Sequence, residues 1–208
     1  MMIKLVLALC VSFFAAAVSA QGIAPDVQVK TITNEVIAII KQDKEIQAGN
    51  RKKIDELVDA KVLPHFNFGR MTALAVGRNW SKANAEQQKT LISEFRTLLV
   101  RTYSSALATY KNQVIEFKPL RAVATDADVM VRTQVKQPGT EPISIDYSME
   151  QTPAGWKVYD VVVGGVSLVT NYRETFNAEI REGGVDGLIK SLVSKNRSLE
   201  AQVSAKPK

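Results

Sequence analysis

The sequence contains one cysteine, Cys10, and one histidine, His65. Cys10 lies in the middle of an apolar N-terminal run, so the rest of the chain has no disulfide, thiol nucleophile or cysteine-bound metal. A lone histidine excludes a histidine pair at a metal, and a Ser-His-Asp arrangement would have to use His65. No Gly-x-Ser-x-Gly elbow is present. No spaced glycine loop is present either: Gly164-Gly165 reads as a tight strand-to-helix turn. Beyond the N-terminus no apolar run is long enough to span a bilayer.

The N-terminal run reads as a secretory signal over residues 1–20. Lys4 supplies its positive charge, Leu5 to Val18 its apolar stretch, and Val18-Ser19-Ala20 a small-residue cleavage site. The expected compartment is the periplasm. Removing Lys4 with the segment takes one unit from a formal charge of +6. That mild excess suits acidic partners or anionic headgroups and does not call for nucleic acid. The remaining chain is long enough for one compact domain, expected over 21–199 and monomeric, with a polar tail over 200–208.

The first half has helical periodicity. Val29, Ile32, Val36, Ile37 and Ile40 follow Pro25, and Asn50 caps Ile54, Leu57, Val58 and Val62. Pro64 interrupts, and a short helix carries Phe68, Met71 and Leu74 up to Gly77. From Ser81 or Asn84 a single stripe runs through Leu91, Phe95, Leu99, Tyr103 and Leu107 to Tyr110 without Gly or Pro. As one helix it would be roughly 40 Å long, enough to lie across a curved sheet. The period then becomes two. Ile115–Phe117, Val129–Val135, Ile143–Met149 and Trp156–Val163 read as four strands, with turns at Pro138-Gly139 and Pro153-Ala154-Gly155. Two helices close the chain. Ser167 caps Leu168–Ile180, Gly183-Gly184 breaks the run, and Val185–Val193 follows. Helices, a strand meander and helices again make an α+β fold. A helical subdomain is expected over about 50–84 with the C-terminal helix.

Among the acids, Asp160 stands out within an apolar strand. It reads as a structural hydrogen-bond acceptor, or alternatively as a catalytic acid–base with Tyr103 or Tyr159 on a small hydrophobic substrate. His65 reads as a capping or surface residue. Arg70, Arg78, Arg96, Arg101, Arg121, Arg132, Arg173 and Arg181 are spread along the chain, and a subset near a cavity mouth would suit a phosphate through forked hydrogen bonds.

One stretch is more specific. Trp156-Lys157-Val158-Tyr159-Asp160-Val161, Gly165-Val166-Ser167-Leu168-Val169, Asn171-Tyr172-Arg173 and Phe176 resemble the signature of the MlaC, or toluene-tolerance auxiliary, family. Val62-Leu63-Pro64, Met71, Gly77, Trp80, Gln87, Phe95, Tyr103, Leu107, Tyr110, Gly184, Asp186, Leu188 and Ile189 extend the resemblance over about 32–192. Asn67 and Gly164 depart from the family's usual residues. The resemblance implies a nuclear-transport-factor-2-like cone, a curved antiparallel sheet packed by a long helix. It implies a non-enzymatic carrier of glycerophospholipid with no cofactor. Its implied partners are an outer-membrane lipoprotein–porin complex and the lipid-binding ring protein of an inner-membrane ABC transporter, in the service of outer-membrane lipid asymmetry. The expected lipid wall is Met71, Leu74, Leu99, Tyr103 and Leu107 from the helical half. Val131, Ile145, Tyr147, Val161 and Val163 come from the strands, and Leu168, Val169 and Tyr172 from the helix after them.

Overall fold

The computed structural model describes residues 22–122 and 126–204; the expected signal segment and the last four residues of the expected tail lie outside the described residues. Local chemistry sets the helix starts. α1 (Pro25–Gln42) has Pro25 in its first turn, where a missing N–H costs nothing. Asp43 accepts from Glu45 N at 2.9 Å and Ile46 N at 3.1 Å to start α2 (Lys44–Gln47). Asn50 caps α3 (Arg51–Lys61), and Pro64 diverts the chain into a 3-10 turn over Leu63–His65. Asn67 caps α4 (Phe68–Val76) by accepting from Arg70 N at 3.0 Å. Asn84 opens α5 (Ala85–Tyr103) with a capping box closed by Gln87.

The long helix is shorter than its stripe suggests. α5 ends at Tyr103, and Ser104–Thr109 tighten into a 3-10 helix. The Thr102 hydroxyl bonds back to Leu98 O at 2.7 Å, and buried Ser104 donates to Asp55 at 3.4 Å. Both side chains compete with the helical ladder and pull the segment onto α2 and α3. The helix lying on the sheet also differs from the one expected. α5 packs on α4 and on α6 (Leu168–Ser204), whereas α1 packs on the second strand.

The sheet is the expected antiparallel meander, in the order β1 (Val114–Phe117), β2 (Asp128–Lys136), β3 (Ile143–Thr152), β4 (Gly155–Val163) and β5 (Val166–Ser167). β5 was not expected. Gly164 and Gly165 have φ of 57° and 85°, and two consecutive positive-φ residues form the two-residue turn that folds a strand back on itself. They therefore join strand to strand, not strand to helix.

α6 contains the expected break: Gly184 has φ 66° and ψ −168°, a region open essentially to glycine alone. Beyond it Val185, Leu188 and Leu192 turn back into the core. The helix continues to Ser204, so 200–204 are helical and not tail. Arg101 holds this end, donating to Asn196 O at 2.5 Å and pairing with Glu200 at 3.3 Å.

The apolar interior falls into three clusters. The first lies between α4, α5 and α6 around Phe95, Phe176 and Leu91. The second joins α1, α2 and α3 through Ile40, Ile46 and Ile54. The third is the sheet with Val29 of α1 upon it. The grouping expected over 50–84 is thus divided between two packing units: α4 packs on α6, while α3 packs in the second cluster. Among the described residues Phe66 is the one side chain packed against both the first and third clusters.

Candidate functional site: an apolar sheet face covered at one end

Strand register defines the site. Val131 pairs with Tyr147 and Thr133 with Ile145, then Tyr147 with Val161 and Ile145 with Val163. Cross-strand partners share a face. This places Val129, Val131, Thr133 and Val135 of β2 beside Ile143, Ile145, Tyr147 and Met149 of β3 and Val158, Val161 and Val163 of β4. A bulge opposite Ser148 and Met149 preserves the pattern: Ser148 pairs with Asp160 and Met149 with Val158, so Tyr159 is the extra residue.

Coverage of this face is uneven. Val129, Val131, Met149 and Val158 are buried beneath α1. Toward the far end Ile145 and Val161 are half-buried, Val163 is 38% exposed and Ile143 51%. Tyr147 sits at the transition. Burial, with a smaller push from Asp146, raises its hydroxyl to about 12, yet its side chain keeps accessible surface. Tyr147 is therefore desolvated by its surroundings without being fully buried.

The expected wall residues are distributed around this region as follows. Val131, Ile145, Tyr147, Val161 and Val163 come together on the one sheet face. Leu107 packs against the second cluster. Leu168 is half-buried at the start of α6, and Tyr103 is 41% exposed at the end of α5. Burial first, then neighbouring Tyr103, pushes the Tyr172 hydroxyl up to about 12. The Tyr172 ring also stands edge-on to Phe95 at 5.1 Å, which ties it to the helical core. Met71 and Val169, at 1% and 3% exposure, are enclosed by that core, as is Leu99 at 7%, and they offer a ligand little or no surface. Leu74 packs on the same core and faces a separate cleft. Periodicity identified Met71, Leu74 and Leu99 as apolar-stripe residues, and the resemblance named Val169, but neither said which side of the helical layer they serve.

Thr133, Val135, Ile143 and Val29 were missed. Thr133 is 3% exposed, its hydroxyl donating to Ile145 O at 2.6 Å, which lets a polar residue occupy the apolar face. The strict alternation along β2 and β3 was the signal for the first three.

Asp160 is fully engaged. Its Oδ1 accepts from Val161 N at 2.8 Å and Val169 N at 3.1 Å, and its Oδ2 from the Ser167 hydroxyl at 2.5 Å. Ser167 Oγ in turn accepts from Thr170 N at 3.0 Å. The pair caps α6, satisfying first-turn N–H groups and opposing the positive end of the helix dipole. Asp160 therefore fits the structural reading.

A second polar group clamps the helices to the sheet. Arg70 pairs with Asp128 at 2.7 Å and Glu150 at 2.8 Å, and stacks 3.7 Å above the Tyr159 ring. Burial alone would lower its pKa, but the bonds to Glu150 and Asp128 outweigh that and hold it above its ordinary value. Asn67, the departure from the family pattern, donates to Glu150 at 2.7 Å while capping α4. His65 is half-buried, and burial followed by nearby Lys157 lowers its pKa. Among the described residues no group of three or more His, Cys, Asp or Glu is placed to hold a metal, and no helix is long and apolar enough to cross a membrane.

Comparison with known proteins gives a consistent result. A family model described as MlaC protein matches residues 30–194. The chain is 26% identical over 155 residues to the intermembrane phospholipid transport system binding protein MlaC of Haemophilus influenzae, covering 70% of this chain and 72% of that one. It is 25% identical over 182 residues to the toluene tolerance protein ttg2D of Pseudomonas putida, covering 86% and 83%. Its fold superposes with a TM-score of 0.79 and 43% identity on the phospholipid-binding protein from Ralstonia solanacearum, solved in complex with a phospholipid, over 84% of this chain and 98% of that one. The chain belongs to the MlaC family.

Proposed function

We propose that this protein is a monomeric, non-enzymatic periplasmic carrier that holds the acyl chains of a glycerophospholipid against the open half of its apolar sheet face. The observation that carries the reading is the uncovered end of that face, where Ile145, Tyr147 and Val161 are half-buried and Ile143 and Val163 exposed beside the covered half. The phospholipid bound to the Ralstonia solanacearum relative supports the same cargo. Residues 1–20, with their signal pattern, support export.

The energetics favour an enclosed path. Two acyl chains bring about 30 methylenes, and at ~0.8 kcal/mol each their transfer to water costs on the order of 24 kcal/mol. A carrier must offset most of this without binding so tightly that delivery stalls. The proposed wall is Ile145, Tyr147, Val161 and Val163 from the sheet, with Tyr103, Leu107, Leu168 and Tyr172 from the helices. The headgroup stays near solvent at the Ile143–Val163 end, because burying a phosphate would require paired charges. The carrier collects and delivers its lipid between an outer-membrane lipoprotein–porin complex and the lipid-binding ring protein of an inner-membrane ABC transporter, maintaining outer-membrane lipid asymmetry. No cofactor takes part. Asp160 accepts from Val161 N within β4 and from Ser167 and Val169 at the start of α6, which supports its structural reading over the enzyme alternative.

The test is extraction of the purified mature protein with organic solvent, followed by mass spectrometry. Near-stoichiometric glycerophospholipid is expected. Protein expressed in bacteria that yields no phospholipid would refute the carrier function.

A further inference from the structure

A second site lies apart from the apolar sheet face. α4, the 3-10 segment after it (Gly77–Lys82) and α6 enclose a cleft of about 510 Å³, lined by Leu74, Arg78, Arg173, Asn177 and Arg181 with Ala73 and Gly77. Arg173, Asn177 and Arg181 are spaced i, i+4, i+8 and share one face of α6. No carboxylate lines the cleft. Elsewhere Arg51, Arg70, Arg96 and Arg101 are each paired with Asp or Glu. Among the described residues Arg78, Arg173 and Arg181 have no such partner.

The surrounding hydrogen bonds orient donors toward the cleft. Arg173 Nε donates to Leu74 O at 3.0 Å, which satisfies a terminal carbonyl of α4 and fixes the guanidinium. Lys82 Nζ donates to Asn79 Oδ1 at 2.8 Å, and Asn79 Nδ2 donates to Asn177 Oδ1 at 3.0 Å. This relay occupies the Asn177 oxygen and leaves its NH₂ as a donor. Three like charges sharing one cleft repel one another until an anion enters. A carboxylate, with one charge and two oxygens, under-uses three forks, whereas a phosphate group offers more oxygens in tetrahedral array.

We infer that the cleft between α4 and α6 binds a phosphate-type oxyanion through Arg78, Arg173 and Arg181, with Asn177 as an additional donor. The phosphate can come from the headgroup of an anionic phospholipid in a bilayer or from free phosphate. Attraction to either falls as salt shortens the screening length to ~8 Å at physiological strength.

The full mature chain, ¹⁵N-labelled, is titrated with inorganic phosphate at constant ionic strength, using chloride as control. Saturable shifts of the Arg78, Arg173 and Arg181 side-chain signals are expected, and the Arg78→Gln/Arg181→Gln double variant should abolish them. Both residues are exposed, so the variant should fold, as circular dichroism will check. Co-sedimentation with phosphatidylglycerol vesicles, against phosphatidylcholine vesicles, separates the sources. Binding about thirtyfold weaker in the double variant identifies the headgroup, two basic residues at an anionic surface being worth that factor. A saturable phosphate response with unchanged vesicle binding identifies free phosphate. Absence of a saturable phosphate response in the parent protein overturns the site, whatever the vesicles show. Co-purified phospholipid stays at the parent level in the double variant; that readout belongs to the sheet face, so failure of the carrier function and failure of the cleft are distinguishable.

Discussion

Placing glutamate at successive inward positions of β3 tests the depth of the acyl-chain path. Ile143 and Ile145 point to the same side of the sheet, two residues apart, but Ile143 is 51% exposed while Ile145 is half-buried between Thr133 and Val163. In Ile143→Glu the carboxylate stays in water, and the expected cost to lipid binding is less than about 0.5 kcal/mol, roughly twofold. In Ile145→Glu the carboxylate must lose water when acyl chains occupy the face, at about 2–3 kcal/mol. That corresponds to roughly 30- to 140-fold weaker lipid retention. Native mass spectrometry of each purified variant gives the ratio of lipid-bound to empty protein, and Tm after delipidation reports any loss of fold. Equal retention in the two variants, or equal loss, would refute the depth gradient and with it the placement of the chains along β3.

Three further outcomes are expected. Asp160→Ala removes three acceptor interactions, two of them at the start of α6 and one within β4, and should cost about 3 kcal/mol, lowering Tm by about 6–12 °C in a chain of this size; a fall under about 2 °C would refute the capping role. Gly184→Ala forces a Cβ into a glycine-only conformation and should cost about 1–3 kcal/mol, read from urea unfolding, with an unchanged midpoint refuting the strain argument. His65, the only histidine, should titrate by NMR below 6.5, because burial and Lys157 favour the neutral ring. With the folded pKa depressed, its share of stability is present above pH 6.5 and is lost as pH falls below 6.5 toward the folded-state value; an inflection at or above 6.5 would contradict this.

Wherever local chemistry decides, the sequence was sufficient to read the fold. Asn50, Asn84 and Ser167 cap the helices their periodicity demanded, and the meander follows from alternation between short turns. Features set by tertiary competition were not legible. Nothing before Tyr110 announces the end of α5 at Tyr103, because it depends on Ser104 reaching Asp55 on another helix. The Gly164-Gly165 turn is ambiguous until Val166 is seen to pair with Val163. The candidate site divides in the same way. Alternation put Val131, Ile145, Tyr147, Val161 and Val163 on one face, since a strand has only two. A helix has a continuous surface, so the stripes carrying Met71 and Leu99 did not reveal whether they met the sheet or another helix, and Val169 lay on no stripe at all.

The three apolar clusters have a mechanical consequence. Helices and sheet meet at several separate points: the Phe66 ring, the bond from Asn67 N to Val158 O at 2.8 Å, the Arg70 clamp, Val29 of α1 on the third cluster and the Asp160 cap of α6. Each cluster is packed largely within itself, so small shifts of a helix over the sheet load these joints before they disturb a core. Shifts of that size are local fluctuations rather than partial unfolding. For the carrier proposed above, that freedom lets acyl chains of different length or unsaturation be accommodated without repacking a core.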